Sequence, residues 1–202
     1  MRNIDIGLES IDKIYHIADV HVRNVKRHRE YRSVFKRLYS YIKKTRTPNS
    51  VIYVAGDIVH AKTDMSPELV AVVSDFFKKL ADLAPTLIIT GNHDCNLNNS
   101  YRMDALSPIV KALNHQRLHY LKDNGIYLIS GVHFNVLSVY NKPTDYVKAS
   151  DIKGDYKIAL HHGSVHNAST DAGFVLSNTH VTTEMFKGHN LSLLGDIHKP
   201  QF

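Results

Sequence analysis

The sequence predicts an α/β fold in which two sheets pack face to face as a sandwich, flanked by helices. Three observations carry this. Apolar, strand-like runs alternate with helical stretches through the first half of the chain, and the spacing turns hairpin-like in the second half. Five short polar blocks each close an apolar run: Asp19-Val20-His21, Gly56-Asp57-Ile58-Val59-His60, Gly91-Asn92-His93-Asp94, His161-His162-Gly163 and Gly195-Asp196-Ile197-His198. In α/β sheets, ligands collect where the carboxyl ends of strands open into loops, and all five blocks fall at such ends.

In order along the chain, Ile14–Ala18 reads as a buried strand and residues 25–44 as a long helix whose inward face is Tyr31, Val34, Phe35, Leu38, Tyr39 and Ile42. Val51–Ala55 is the next strand. A second helix opens at Ser66-Pro67-Glu68, with serine as N-cap and proline in the first turn, where its missing N–H costs nothing. Leu69, Val72, Val73, Phe76, Phe77 and Leu80 recur at helical spacing and give it one broad apolar face. Thr86–Thr90 is a third strand, and Ser107-Pro108 starts a shorter helix running to Leu113. Ile126–Ser130 and His133–Val139 flank a tight turn and read as a hairpin. Lys157–Leu160 and Leu191–Leu194 are later strands, each running straight into a polar block. Strand–helix alternation followed by hairpin spacing is what two packed sheets with outer helices require.

The chain has 202 residues, 43% hydrophobic and 22% charged, which suits a globular domain with a core. No repeat, biased linker or low-complexity tract divides it, so residues 1–202 read as one domain. The chain stops four residues after His198, leaving no strand to cover the last one, so a C-terminal continuation is expected to be missing. One cysteine, Cys95, excludes an internal disulfide and fits a reducing compartment. No signal-peptide core or membrane-length apolar run occurs. A cytoplasmic protein is expected, or a nuclear one if the source is a eukaryote.

Histidine is over-represented, at 14 residues, and the net charge is +6. His21, His93, His161 and His198 stand beside Asp, Asn or Gly at strand ends, where carboxylate, imidazole and amide groups converge as metal ligands. Asp19 and His21, two apart, would share a face if extended, as would Asp196 and His198. Asp57 closes a very apolar strand, where a carboxylate bridging two cations would explain its place. Asn92 offers a neutral oxygen, His93 beside it is placed to protonate a leaving alkoxide, and Asp94 is expected to orient that imidazole from behind. His161 and His162 are consecutive, so on a strand they face opposite ways and only one is expected to ligate. Together the blocks outline a dinuclear centre, in which two cations would clamp a phosphodiester and neutralise its growing charge.

These blocks resemble the calcineurin-like metallophosphoesterase superfamily. Within it, His16–His21, Ala55–His60 and Thr90–Asp94 are most similar to SbcD-type DNA repair nucleases, and His60 is the more selective feature. The resemblance runs from Ile14 to His198 and implies a four-layer sandwich. It implies that Asp19, His21, Asp57 and His198 hold one metal, and that Asp57, Asn92, His161 and Asp196 hold the other. It further implies that His93 is the general acid and that His60 contacts the scissile phosphate. Manganese is the implied ion, with magnesium as the other candidate. In place of the family's usual Gly-His-X-His, this chain has Asp196, whose hard oxygen favours Mn²⁺ or Mg²⁺ over softer metals.

The helix from residue 25 adds a case for DNA. Arg23, Lys26, Arg27, Arg29 and Arg32 follow the first ligands directly, and Lys36, Arg37, Lys43, Lys44 and Arg46 continue the run against one acid, Glu30. A phosphate-tracking surface leading to the site is expected. The resemblance also implies an SMC-like ATPase partner and a homodimer. A small-molecule phosphodiesterase or phosphatase with the same centre is the main rival, and a non-catalytic scaffold of the same fold is the third reading.

Overall fold

The computed structural model describes residues 1–170, 172–177 and 179–199. Its strands are β1 (Arg2–Asn3), β2 (Lys13–Ile17), β3 (Ser50–Val54), β4 (Thr86–Ile88), β5 (Leu118–Tyr120), β6 (Gly125–Ile129), β7 (Val132–Leu137), β8 (Lys157–His162) and β9 (Leu191–Gly195). The helices are α1 (His28–Thr45), α2 (Pro67–Leu83) and α3 (Leu106–Leu113). One sheet has the order β2-β3-β4-β5 and is wholly parallel; the other has the order β1-β6-β7-β8-β9 and contains one antiparallel pair, the β6–β7 hairpin.

Strand alternation builds two cores. On β3, Ile52 and Val54 face the helices, whereas Val51, Tyr53 and Ala55 enter the layer between the sheets. Both faces are buried, which is why this strand reads as an unbroken apolar run. Leu87 and Ile89 of the next strand join the inter-sheet layer, where Tyr127, Ile129, Phe134, Val136 and Leu160 meet them from the second sheet. The helices lie on the outer face of the parallel sheet, with Phe35 of α1 packed on Phe76 of α2 at a ring separation of 4.3 Å.

Among the described residues no α-helix covers the second sheet. Its outer face carries Asn135 and His161 and is covered by 3-10 turns at Pro143–Asp145, Ala149–Asp151 and Thr183–Phe186. The fourth layer expected of the sandwich is therefore irregular chain.

Several expectations shift in detail. The first helix starts at His28, not residue 25, because Val25 and Arg27 take left-handed backbone with φ of 45° and 62°. Val34 lies outward, 48% exposed, rather than on the packed face. Ser66 caps α2 as expected, its Oγ accepting the Leu69 N–H at 3.2 Å. The third helix begins one residue before Ser107, because buried Asp104 accepts the N–H groups of both Leu106 and Ser107. The short strands β1 and β5 carry too few residues to show a period of two.

Candidate metal centre

The polar blocks converge at the carboxyl ends of β2, β3, β8 and β9 and in the loop after β4. Pairing between the first two blocks continues past their strands. His21 N–H donates to the Asp57 carbonyl at 2.9 Å, Val22 N–H to Ile58 at 2.8 Å, and His60 N–H to Val22 at 3.0 Å. That ladder sets His60 beside His21, with ring centroids 5.9 Å apart.

The same-face spacing of Asp19 and His21 is achieved without extended backbone. Asp19, His21, Asp57, Asp196 and His198 all have positive φ, from 48° to 94°, and make up five of the ten such non-glycine residues among those described. Left-handed backbone costs an L-residue roughly 1–2 kcal/mol, and such strain gathers at functional sites. Two glycines permit the close approach behind it. A Cβ on Gly56 would lie 2.5 Å from the Gly91 nitrogen, and one on Gly91 would overlap the Asp57 carboxylate.

Ligand atoms of Asp19, His21 and His198 lie within 4.8 Å of one another, as do those of Asp19, Asp57 and His162, and of His21, His60 and His93. His21 Nε2 is 3.1 Å from His198 Nε2 and 3.6 Å from Asp57 Oδ2, and His198 Nε2 is 3.6 Å from Asp19 Oδ1. Asp57, 1% exposed, sits at the centre. Its Oδ1 accepts the His93 N–H at 2.8 Å and lies 3.3 Å from His162 Nε2.

The structure corrects the His161 assignment. Ile158 and Leu160 of β8 point into the inter-sheet layer, and His162 shares their face; His161 points the other way. There its Nδ1–H donates to the Leu137 carbonyl at 2.8 Å and its ring lies about equally far from Tyr146 and Phe186, at 5.9 and 6.0 Å. Burial pushes the His161 imidazole down to about 4. His162 is wholly buried, and its Nδ1–H donates to the Ala55 carbonyl at 2.6 Å, which leaves Nε2 facing Asn92 Oδ1 at 3.0 Å, Asp57, and Asp196 Oδ1 at 3.9 Å. The parity of the two large aliphatic residues before it was the sequence signal that could have decided this.

Asp94 is corrected as well. Its carboxylate does not touch the His93 imidazole. It accepts backbone N–H groups from Ile58 at 2.9 Å, Val59 at 3.0 Å and Gly91 at 3.0 Å, clamping the second block to the third. Burial pushes its carboxyl up to about 7, against the pull of those N–H groups. His93 is oriented instead by the His60 carbonyl, which accepts its Nδ1–H at 2.6 Å and turns Nε2 toward Asp57, 4.0 Å away.

The donor set fits cations. With its amide oxygen turned inward, Asn92 places that atom 3.1 Å from both Asp57 oxygens; turned over, its nitrogen donates to them. The first orientation is repulsive toward Asp57 unless a cation lies between the oxygens. Burial, reinforced by the neighbouring imidazoles, holds His21 at about 4, so it is neutral and ready to ligate. For His162 burial alone would lower the pKa, but Asp57, the Ala55 carbonyl and Asp19 together push it up to about 9. Burial would raise Asp57, yet His162 and the His93 N–H hold it below the usual carboxylate range. In effect a proton on His162 occupies the place of a cation. Asp196 is turned toward this side, but Ser164 Oγ donates to its Oδ2 at 2.7 Å, and its own N–H donates to Asp19 at 3.1 Å.

A family model for calcineurin-like phosphoesterases matches residues 12–200. The chain belongs to that family. The chain is 45% identical over 210 residues to the uncharacterised protein R555 of Acanthamoeba polyphaga mimivirus; the match covers 98% of this chain but 15% of R555, so the chain spans a small part of that relative. Among solved structures it is similar to nuclease MPE of Pseudomonas putida, at 18% identity and a TM-score of 0.38, covering 75% of this chain and 58% of that one. No helix among the described residues is long and apolar enough to cross a membrane.

The basic residues expected to meet DNA are outward-facing: Arg23, Lys26, Arg27, Arg29 and Arg32 are all exposed. Arg27 is partly neutralised by Glu30 at 2.6 Å. The first turns of α1 are fastened to the centre, because Tyr31 OH donates to the His21 carbonyl at 2.7 Å.

Proposed function

We propose that this phosphoesterase is a two-metal phosphodiesterase that cleaves DNA. The observation that carries the reading is the fastening of a one-signed helix face to the ligand cluster through Tyr31 and His21. Arg29 and Arg32 lie at the site end of α1, and Lys43 and Lys44 lie near its far end, with Lys44 ~22 Å from Arg29 along the axis at 1.5 Å per residue. A charged row of that length suits a polyanion better than a single small phosphate. The cluster is also open at its rim, where the His93 and His198 side chains are 40% and 53% exposed.

In this reading Asp19, His21, Asp57 and His198 would hold one ion, and Asp57, Asn92, His162 and Asp196 would hold the other. The ions, Mn²⁺ by resemblance or Mg²⁺, supply charge neutralisation at the phosphate and activation of water. The chain's own residues do the rest. His93, fixed by the His60 carbonyl, delivers a proton from Nε2 to the leaving oxygen, and His60 and His21 flank it on the phosphate side. The SbcD resemblance further suggests work in DNA repair or recombination, alongside an SMC-like ATPase and as a homodimer.

A metal-dependent assay offering linear DNA, circular single-stranded DNA and a small chromogenic diester side by side tests the proposal. Cleavage of DNA that is inhibited steeply by salt is expected. Turnover of the small diester with none of either DNA would favour a small-molecule enzyme, and no turnover of any substrate would favour a scaffold.

A further inference from the structure

Beside the acid candidate lies a pocket of about 300 Å³ lined by His60, Ala61, Lys62, Thr63, Asn92 and His93. Lys62 is its cation. It is half-buried, its Nζ donates to the backbone carbonyl of Asn92 at 3.3 Å, and among the described residues it forms no ion pair. A half-buried ammonium that donates to one backbone carbonyl keeps donors free for an anionic ligand. Its position narrows the choice of ligand. The side chain of Asn92 points at Asp57 and His162, whereas the carbonyl of the same residue holds Lys62 on the pocket side. His60 and His93 belong both to the pocket and to the ligand cluster and take the scissile phosphate, so Lys62, held by the Asn92 backbone, is left for the next charge along the substrate.

We infer that Lys62 and the pocket around it form a leaving-group subsite that reads the phosphate one nucleotide beyond the scissile bond. The inference rests on the phosphodiesterase reading above and adds direction to it. In that reading His93 Nε2 protonates the leaving oxygen, so the space on the pocket side of His93 receives the nucleoside that departs. The next negative charge on that nucleoside is its other phosphate, and a substrate lacking that phosphate leaves Lys62 unpaired. Thr63, exposed at the pocket mouth, offers a hydroxyl to the same group. Lys62 is thus a specificity-determining residue that separates a polynucleotide from a simple diester.

The test uses the full chain loaded with Mn²⁺ and three substrates: the deoxydinucleotide TpT, and the same dinucleotide with a terminal phosphate as pTpT or TpTp. Product analysis identifies which nucleoside departs without the scissile phosphate, and hence which terminal phosphate lies on the leaving side. Wild-type kcat/KM should be about ten-fold higher for that substrate than for TpT, mainly through KM, as one charge-assisted contact provides. Lys62→Met should bring the ratio close to one, and Lys62→Arg should restore most of it. A preference that survives in Lys62→Met overturns the inference. So does a loss shared equally by all three substrates, which would mean that Lys62 positions Asn92 or holds the scissile phosphate. A wild-type preference for the opposite phosphate also overturns it. Wild-type turnover of TpT with no preference defeats the subsite alone, whereas no turnover of any diester defeats the phosphodiesterase reading and the subsite with it.

Discussion

Metal binding at this centre should expel a proton, and the proton should come from His162. That imidazole is buried, with Nδ1 committed to the Ala55 carbonyl and Nε2 within 3.3 Å of Asp57 and 3.0 Å of Asn92. Its pKa is held near 9, so at pH 7.5 the metal-free protein carries the proton almost fully. An ion that takes Nε2 must displace it. His21, held at about 4, has no proton to give at that pH, and Asp57 is already ionised. For competition with one proton, apparent affinity rises about ten-fold per pH unit while pH stays below the folded pKa. Between pH 7.5 and 8.5, where the upper end approaches a pKa of about 9, the ion that uses His162 should therefore tighten by about eight-fold. Titration calorimetry in buffers of differing ionisation enthalpy reads the released protons directly. Ionisation of a bound water would add to the count, so His162→Gln is the control: Gln can occupy the site but holds no proton to lose, and the count should fall by one. The reasoning is refuted if nitrogen-15 spectra of the metal-free protein show a neutral His162 at pH 7.5, or if His162→Gln releases as many protons as the wild type.

Four further outcomes are expected. His93→Ala should retain its ions by elemental analysis while losing ~10²–10⁴-fold in turnover, as removal of a general acid does; loss of the ions would make His93 a ligand instead. Asp94→Asn should destabilise the fold by about 1–3 kcal/mol in thermal unfolding, because one of three buried N–H groups would then face an amide donor; an unchanged melting curve would show that the clamp is dispensable. Neutralising Arg27, Arg29 and Arg32 together should flatten the log–log salt dependence of DNA binding by roughly 0.7–0.9 per lost phosphate contact, with least from Arg27, which Glu30 already pairs. Asp196→Gly keeps a residue tolerant of φ 94°; if Asp196 ligates, the second ion binds more weakly, and if it only turns the chain, the variant is unchanged or slightly more stable.

The parts of the site written in contiguous residues were legible. Asp57, Asn92 and His93 end apolar strands beside glycines, and one sequence window contains the whole reason for their placement. What escaped depended on distant partners. The choice between His161 and His162 turns on which face of β8 meets the other sheet, and His161 is consigned to the outer face by strand parity that the block alone does not reveal. Asp94 reads locally as a neighbour of His93, but its three N–H donors come partly from Ile58 and Val59, more than thirty residues earlier. The start of α1 was misplaced because the left-handed turns at Val25 and Arg27 carry no glycine or asparagine to announce them. Lys62 gave no signal at all, since an isolated lysine gains meaning only when its lack of a counter-ion is seen.

The strain at the ligands and the clamp behind them are connected. Five candidate ligands in left-handed backbone would, at roughly 1–2 kcal/mol each, relax if their loops were free to move. They are not free. Asp19 accepts the Asp196 N–H, Asp57 accepts the His93 N–H, His21 N–H donates to the Asp57 carbonyl, and Asp94 ties Gly91 to Ile58 and Val59. All but the Gly91–Asp94 bond join one block to another, so these blocks hold one another in place. Two of these bonds also use carboxylates that would bind metal: the Asp196 N–H is shared by both oxygens of Asp19, and the His93 N–H takes Oδ1 of Asp57 while Oδ2 faces His21. A site held in this way meets an ion with its ligands already converged, and the cost of convergence falls on folding rather than on binding.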